Sequence, residues 1–135
     1  MANRMDGLLY EDLTRSIIGA FFEVYNELGH GFLESVYTAA LEIVLRERGH
    51  HVSREVRVMV HFRGIPIARQ RMDMVVDDKV IVENKATRLL ALADFQQILS
   101  YVTSTKLEVG LLLHYGPEPK FHRTIRSNRG AVKSA

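Results

Sequence analysis

The stretch Gln70-Arg71-Met72-Asp73-Met74-Val75-Val76-Asp77-Asp78-Lys79-Val80-Ile81-Val82-Glu83-Asn84-Lys85 decides how this chain reads. Residues from about Ala68 to Val76 and from Lys79 to Lys85 suit two strands rich in β-branched side chains, joined at the turn-forming pair Asp77-Asp78. Glu83 and Lys85 are two apart, so on a strand they share one face. Asp73 lies on the preceding strand of the same hairpin. Pairing Asp73 with Glu83 centres the turn on Asp78 and requires a three-residue loop or a bulge. A two-residue loop at Asp77-Asp78 instead pairs Asp73 with Val82 and sends Glu83 to the other face. The first register brings two carboxylates and an ammonium group together; the second gives only a surface hairpin.

The first arrangement suits phosphodiester chemistry. Carboxylate oxygens hold a hard cation such as Mg²⁺, which keeps several waters and engages phosphate. The ion stabilises developing charge and acidifies a bound water. A neighbouring lysine can orient that water and offset charge in the transition state.

Working outward, Leu13, Ile17, Ile18, Phe21, Val24, Tyr25 and Leu28 recur at helical spacing, with Glu11 and Asp12 at the N-terminal end. Gly29-His30-Gly31 breaks that helix. A second spans about Leu33 to Arg48 and stops at Gly49. Val52, Val56, Val58, Val60 and Phe62 alternate with mostly polar residues, predicting a strand covered on one face. Arg63-Gly64 marks a turn, and Pro66 belongs at a strand end or edge. A third helix runs from about Leu92 to Thr103. Val109 to Leu113 is an apolar run of the kind found in buried central strands. Gly116-Pro117 breaks it, and Phe121, Arg123 and Ile125 predict a last edge strand. The order α-α-β-β-β-α-β-β predicts an α+β fold with a mixed sheet flanked by helices.

The chain has 135 residues and is 47% apolar and 25% charged, so a single domain over 1–135 with one core is expected. Without cysteine it has no disulfide, thiolate metal site or cysteine nucleophile. No apolar run approaches the length of a membrane span, and no signal-peptide pattern opens the chain, so a cytoplasmic protein without membrane contact is the default expectation. The net charge of +2 says little, but its distribution says more. Lys120, Arg123, Arg126, Arg129 and Lys133 form a basic end without acids, and residues 127–135 read as a flexible basic tail. Arg63, Arg69 and Arg71 form a second basic stretch.

Gly31-Phe32-Leu33-Glu34-Ser35-Val36-Tyr37 resembles the motif of the GxxExxY proteins, a bacterial group within the PD-(D/E)xK nuclease superfamily. The first helix, the hairpin, Val80-Ile81-Val82-Glu83-x-Lys85-Ala86 and Val109-Gly110-Leu111-Leu112 resemble that group in the same order, so the likeness runs from about Leu13 to Ile125. It implies a restriction-endonuclease-like fold and a Mg²⁺-dependent nuclease, with Mn²⁺ as a substitute ion and DNA as the expected substrate. Asp73, Glu83 and Lys85 match the acid-acid-lysine signature. Glu34 matches the helix-borne acid that many members add near the metal. Gln97-x-x-x-Tyr101 resembles the QxxxY motif of the RecB branch, with both side chains on one helical face. Gln97 is then expected to bond the lysine or a phosphate.

The resemblance places Asp73, Glu83, Glu34 and the Asn84 backbone carbonyl around the metal. Tyr37, Tyr101, Arg69, Arg71, Arg123 and Arg126 become the candidate substrate contacts, although both tyrosines also suit core positions. The histidines lack metal-ligand spacing and are left out. There are departures. Met72-Asp73 stands where Pro-Asp is usual, His30 replaces a loop proline, and Asn84 occupies an ordinarily apolar position whose side chain needs hydrogen-bond partners. A nuclease fold serving as a non-catalytic binding or assembly module is the competing function. A domain this small invites a homodimer or a partner protein to enlarge its nucleic-acid surface.

Overall fold

The computed structural model describes residues 10–126 and the short strand 132–134. The chain forms α1 (Glu11–Leu28), α2 (Glu34–Glu47), β1 (Val52–Phe62), β2 (Ile65–Val76), β3 (Val80–Lys85), α3 (Leu92–Ser104), β4 (Val109–Tyr115), β5 (Pro119–Arg126) and β6 (Val132–Ser134). The six strands lie in sequence order in one sheet. All neighbours are antiparallel except β3 and β4, which run parallel and are joined through α3. This is the α+β architecture, a mixed sheet flanked by helices, that the element order predicts, and it agrees with the restriction-endonuclease-like fold that the resemblance implies.

Two helical layers account for the burial pattern. The apolar stripe of α1 (Ile17, Ala20, Phe21, Val24) and that of α2 (Tyr37, Leu41, Leu45) cover one face, where Met74, Val82 and Leu111 meet them. On the other face α3 places Ile98, Tyr101 and Val102 against Val75 and Ile81. Strand β4 is covered on both sides, which explains its unbroken apolar run. Gly110 is required there: a Cβ would lie 2.7 Å from Ile98 Cγ1, so only glycine lets α3 sit this close.

The β2–β3 hairpin adopts the three-residue loop. Val76 pairs with Val80, Val75 with Ile81, and Met74 with Val82. The loop is fixed from outside. Asp77 accepts hydrogen bonds from His51 N (2.8 Å) and His50 Nδ1 (2.7 Å), and its own N–H donates to His51 O (2.8 Å). Asp77 and Asp78 both have positive φ, 53° and 57°. That conformation is easiest for Gly, Asn and Asp, so an Asp pair can close this turn.

A second irregularity lies in β2. The β1–β2 ladder skips the pair between Arg54↔Met74 and Val56↔Met72, where Glu55 has φ 52°. Met72 and Met74, two apart, therefore belong to core clusters on opposite faces of the sheet. Asp73 sits at that break.

Three expectations are revised. Strand β2 begins at Ile65, earlier than Ala68, because it pairs with β1 out to the turn at Arg63-Gly64. The one-sided cover expected along β1 stops near Val58; Phe62 is 57% exposed because no helix reaches the outer hairpin. Strand β5 is not the edge, since β6 pairs beyond it. Much of the 127–135 tail lies outside the described residues, and its part at 132–134 is this strand.

Candidate active site

Beyond Met74↔Val82 the backbones of β2 and β3 no longer pair, and two side chains bridge the opening instead. Asp73 N donates to Glu83 Oε1, and Asn84 N donates to Asp73 Oδ2, both at 2.9 Å. Each acid thus satisfies the other strand's orphaned amide. This reciprocal bridge holds the carboxyls together and leaves Asp73 Oδ1 and Glu83 Oε2 for another partner. Lys85, one step along the same face of β3, is the neighbouring cation; its Nζ lies 3.8 Å from Asp94 Oδ1. Asp94 also accepts from Ala91 N (2.8 Å), capping the start of α3.

Glu34 opens α2 at the same end of the sheet. Its carboxyl is pushed up, first by burial and then by the charge of Asp73, with Lys85 opposing and Asp94 adding to the rise. Burial is also the main cause that raises Asp73; the Asn84 amide, Lys85, Arg54 and Arg71 act against it. Glu83 is affected most. Buried and beside the Asp73 charge, it is pushed up to about 8. Four carboxyls thus share one site with a single lysine, and burial and repulsion outweigh what Lys85 offsets at Glu34, Asp73 and Glu83.

These residues fit a hard divalent ion. The donors are all oxygen, and excess negative charge lies where a cation would be welcome. The acids are gathered rather than closed into a cage: among the described residues no three acidic or imidazole groups already stand in ligand geometry.

The remaining candidates divide. Tyr101 belongs to the site's support. It is 2% exposed, its hydroxyl donates to Arg71 O (2.9 Å), and its pKa is raised by burial and by the Glu83 and Asp73 charges. It braces β2 two residues before Asp73. Gln97 stands beside the Tyr101 hydroxyl and acts against the rise of its pKa. Tyr37 is a core residue. Fully buried, it donates to Gly29 O (2.6 Å), accepts from Phe32 N (3.2 Å) and stacks on Tyr115 at 4.3 Å. It closes the helix-to-helix loop.

Arg69 and Arg71 are exposed on the outer hairpin, Arg71 beside Glu55 at 3.3 Å. Arg123 turns inward to Thr14 Oγ1 (2.8 Å) on α1, the wrong face for a phosphate at the acids. Arg126 reaches Thr103 O (3.3 Å) near the end of α3, while the acids lie toward that helix's start. The Asn84 side chain accepts from Tyr115 Oη (3.1 Å), a partner from a neighbouring strand rather than a helix. Asp94 is the residue that the motif reading missed. Its signal was available: Asp94, Gln97 and Tyr101 follow i, i+3, i+7 spacing on one helical stripe.

An acid-bridged hairpin with a trailing lysine thus stands at one end of a mixed sheet between helical layers. Residues 11–126 match the family described as the PD-(D/E)XK nuclease superfamily, and the chain belongs to it. No curated protein matches the chain. Among solved structures, the one titled "Crystal structure of SSO0001" is similar in fold, with a TM-score of 0.56 and 19% identity. The match covers 84% of this chain and spans 58% of that one.

Proposed function

We propose that this protein hydrolyses phosphodiester bonds in nucleic acid, with DNA as the substrate and Mg²⁺, or Mn²⁺ in its place, as cofactor. The observation that carries the reading is the reciprocal Asp73–Glu83 bridge with Lys85 on the same face. Superfamily members generally use divalent metals. Asp73 and Glu83 would hold the ion, with Glu34 and the Asn84 carbonyl extending its shell. When bound, the ion supplies positive charge to the phosphate and a more acidic water.

The chain's own groups do the rest. Lys85 Nζ orients the attacking water and offsets negative charge on the phosphoryl oxygens. Asp94, 3.8 Å away, fixes that ammonium. Tyr101 and Gln97 hold β2 so that Asp73 keeps its place. The Gly31-to-Tyr37 stretch supports membership of the GxxExxY group, with Gly31 at φ 120° and Tyr37 closing the loop. A cytoplasmic setting is part of the same proposal. Among the described residues no helix is long and apolar enough to cross a membrane.

The acids' lack of a finished ligand cage favours one second reading, a non-catalytic nucleic-acid-binding module. Labelled single-stranded, duplex, flap and junction substrates, incubated with Mg²⁺ or Mn²⁺ beside a Lys85→Ala control, separate the two. Metal-dependent cleavage lost in the control supports catalysis. Silence across the panel supports the binding module, and cleavage surviving in the control exposes a contaminant.

A further inference from the structure

Beyond Val58 and Gln70 the β1–β2 hairpin leaves the cover of α3 and continues as a two-stranded ribbon, exposed throughout from His61 to Arg69. It ends in a two-residue turn, Arg63-Gly64, with both φ positive (52° and 76°), between the pair Phe62↔Ile65. From Val56 to Met72 the ribbon carries four arginines, one histidine and no acid.

Pairing sorts these charges. Arg57 lies directly opposite Arg71, and Met59 opposite Arg69. Their side chains share one face, because Val58 and Gln70, the intervening pair, face α3: Val58 joins the α3 cluster and Ser100 Oγ donates to Gln70 (3.0 Å). Like charges placed directly across a ladder oppose pairing unless an anion offsets them; Glu55, at the ribbon's base, lies 3.3 Å from Arg71 and meets part of that need, and a phosphate would meet the rest. At the tip Phe62, Ile65 and Ile67 are 57%, 63% and 62% exposed.

We propose that this ribbon docks onto duplex nucleic acid, with Arg57, Arg69 and Arg71 on phosphates and the apolar tip at a groove. The proposal rests on the nucleic-acid reading above and adds where the polymer lies and that it is double-stranded. A two-stranded ribbon matches the width of a major groove, and apolar tip residues can wedge at base steps. Along the strand the basic row ends next to the site: Arg71 stands two residues from Asp73, on the sheet face turned away from α3. A second copy of the chain is the poorer occupant. A two-fold contact between ribbons would set one row of arginines against another.

The test is fluorescence anisotropy with the full chain and short labelled DNA, over a salt series, with Ca²⁺ replacing Mg²⁺ to hold cleavage off. Duplex is expected to bind about tenfold tighter than the single strand. Arg57→Gln/Arg69→Gln is expected to weaken duplex binding about tenfold or more and to lower the salt slope by about 2. Arg57→Lys/Arg69→Lys should restore the slope, which a merely structural role would not do. If the glutamine double variant melts early, Arg69→Gln alone should show about half the slope change.

Wild-type protein that binds duplex, with a well-folded glutamine variant binding equally well, overturns the ribbon's role and leaves the nucleic-acid reading intact. Equal affinity for single strand and duplex overturns the duplex preference. Wild-type protein that binds no DNA defeats both readings.

Discussion

The two ends of the β2–β3 hairpin carry similar residues to opposite effect. At the turn, Asp77 bonds His50, and His50 Nε2 meets Ser16 Oγ at 2.7 Å. Every partner there relieves the charge: beyond its burial, Asp77 is held below the ordinary carboxyl range by the His51 amide, by His50 and by Lys79. At the open end, Asp73, Glu83, Glu34 and Asp94 crowd one lysine, and Glu83 is pushed up to about 8. One end spends its charges on holding the fold. The other buries three carboxyls beside one another, and burial first, then the Asp73 charge on Glu34 and Glu83, raises them against the pull of Lys85. The contrast distinguishes the two acidic clusters more sharply than residue type does.

The turn cluster shows why this matters. Ser16, His50 and Asp77 have the connectivity of a hydrolase triad. Ser16 lies in the interior of α1, however, where backbone N–H groups are already bonded within the helix, so no backbone donors can stabilise an oxyanion there. The trio instead ties α1, the α2–β1 corner and the hairpin turn together.

The largest expected effect lies at the open end. Lys85→Ala should lower metal-dependent cleavage by about 1,000-fold or more in single-turnover assays, with little change in melting temperature. Equal loss of activity and stability would erase the contrast between the ends.

Next comes the pH dependence of stability. Glu83 is raised in the folded protein, so it keeps its proton there after the unfolded chain has lost it. Metal-free stability should therefore fall as pH rises from about 4.5 to about 8, then level off. Glu83→Gln removes this dependence and should raise stability at pH 9 by up to about 4 kcal/mol, read by denaturant unfolding across pH. An unchanged pH profile in the variant would show that Glu83 is not the strained group.

At the turn the sign reverses. Asp77→Ala leaves the partly buried His50 and the His51 amide without their acceptor and should cost about 2 kcal/mol in urea denaturation. Once measured on folded protein, its cleavage should fall far less than that of Lys85→Ala. The smallest effect belongs to Asp94→Ala. Loss of the α3 cap should cost about 1 kcal/mol by the same measurement. Its cleavage rate should fall modestly, because the Lys85 ammonium loses the carboxylate 3.8 Å away, and Asp94→Glu should restore part of that rate.

Much of this was legible in the sequence, and the reasons for the rest are physical. The helices and strands followed from apolar period, and β4 from its unbroken aliphatic run. The hairpin register could be posed but not decided locally. What fixes the loop is Asp77 meeting His50 and His51, residues distant in sequence. Motif spacing put Tyr37 and Glu34 on one helix but could not say that the tyrosine side faces the core. Arg123 belonged to an alternating strand whose phase is set by its pairing with Leu111 on β4. Asp94 was hidden because a first-turn acid already has a sufficient explanation as a cap. The exposure of the outer hairpin depends on where α3 ends, which β1 and β2 do not encode.

The proposed function stands or falls on whether the crowded carboxyls at the open end bind a divalent metal. Calorimetric titration of Mg²⁺ or Mn²⁺ into the wild-type protein, Asp73→Ala, Glu83→Ala and the turn variant Asp77→Ala tests it most directly. The account predicts saturable binding in wild type and Asp77→Ala, and its loss in both open-end variants. Metal binding that is unchanged in Asp73→Ala and Glu83→Ala would contradict it.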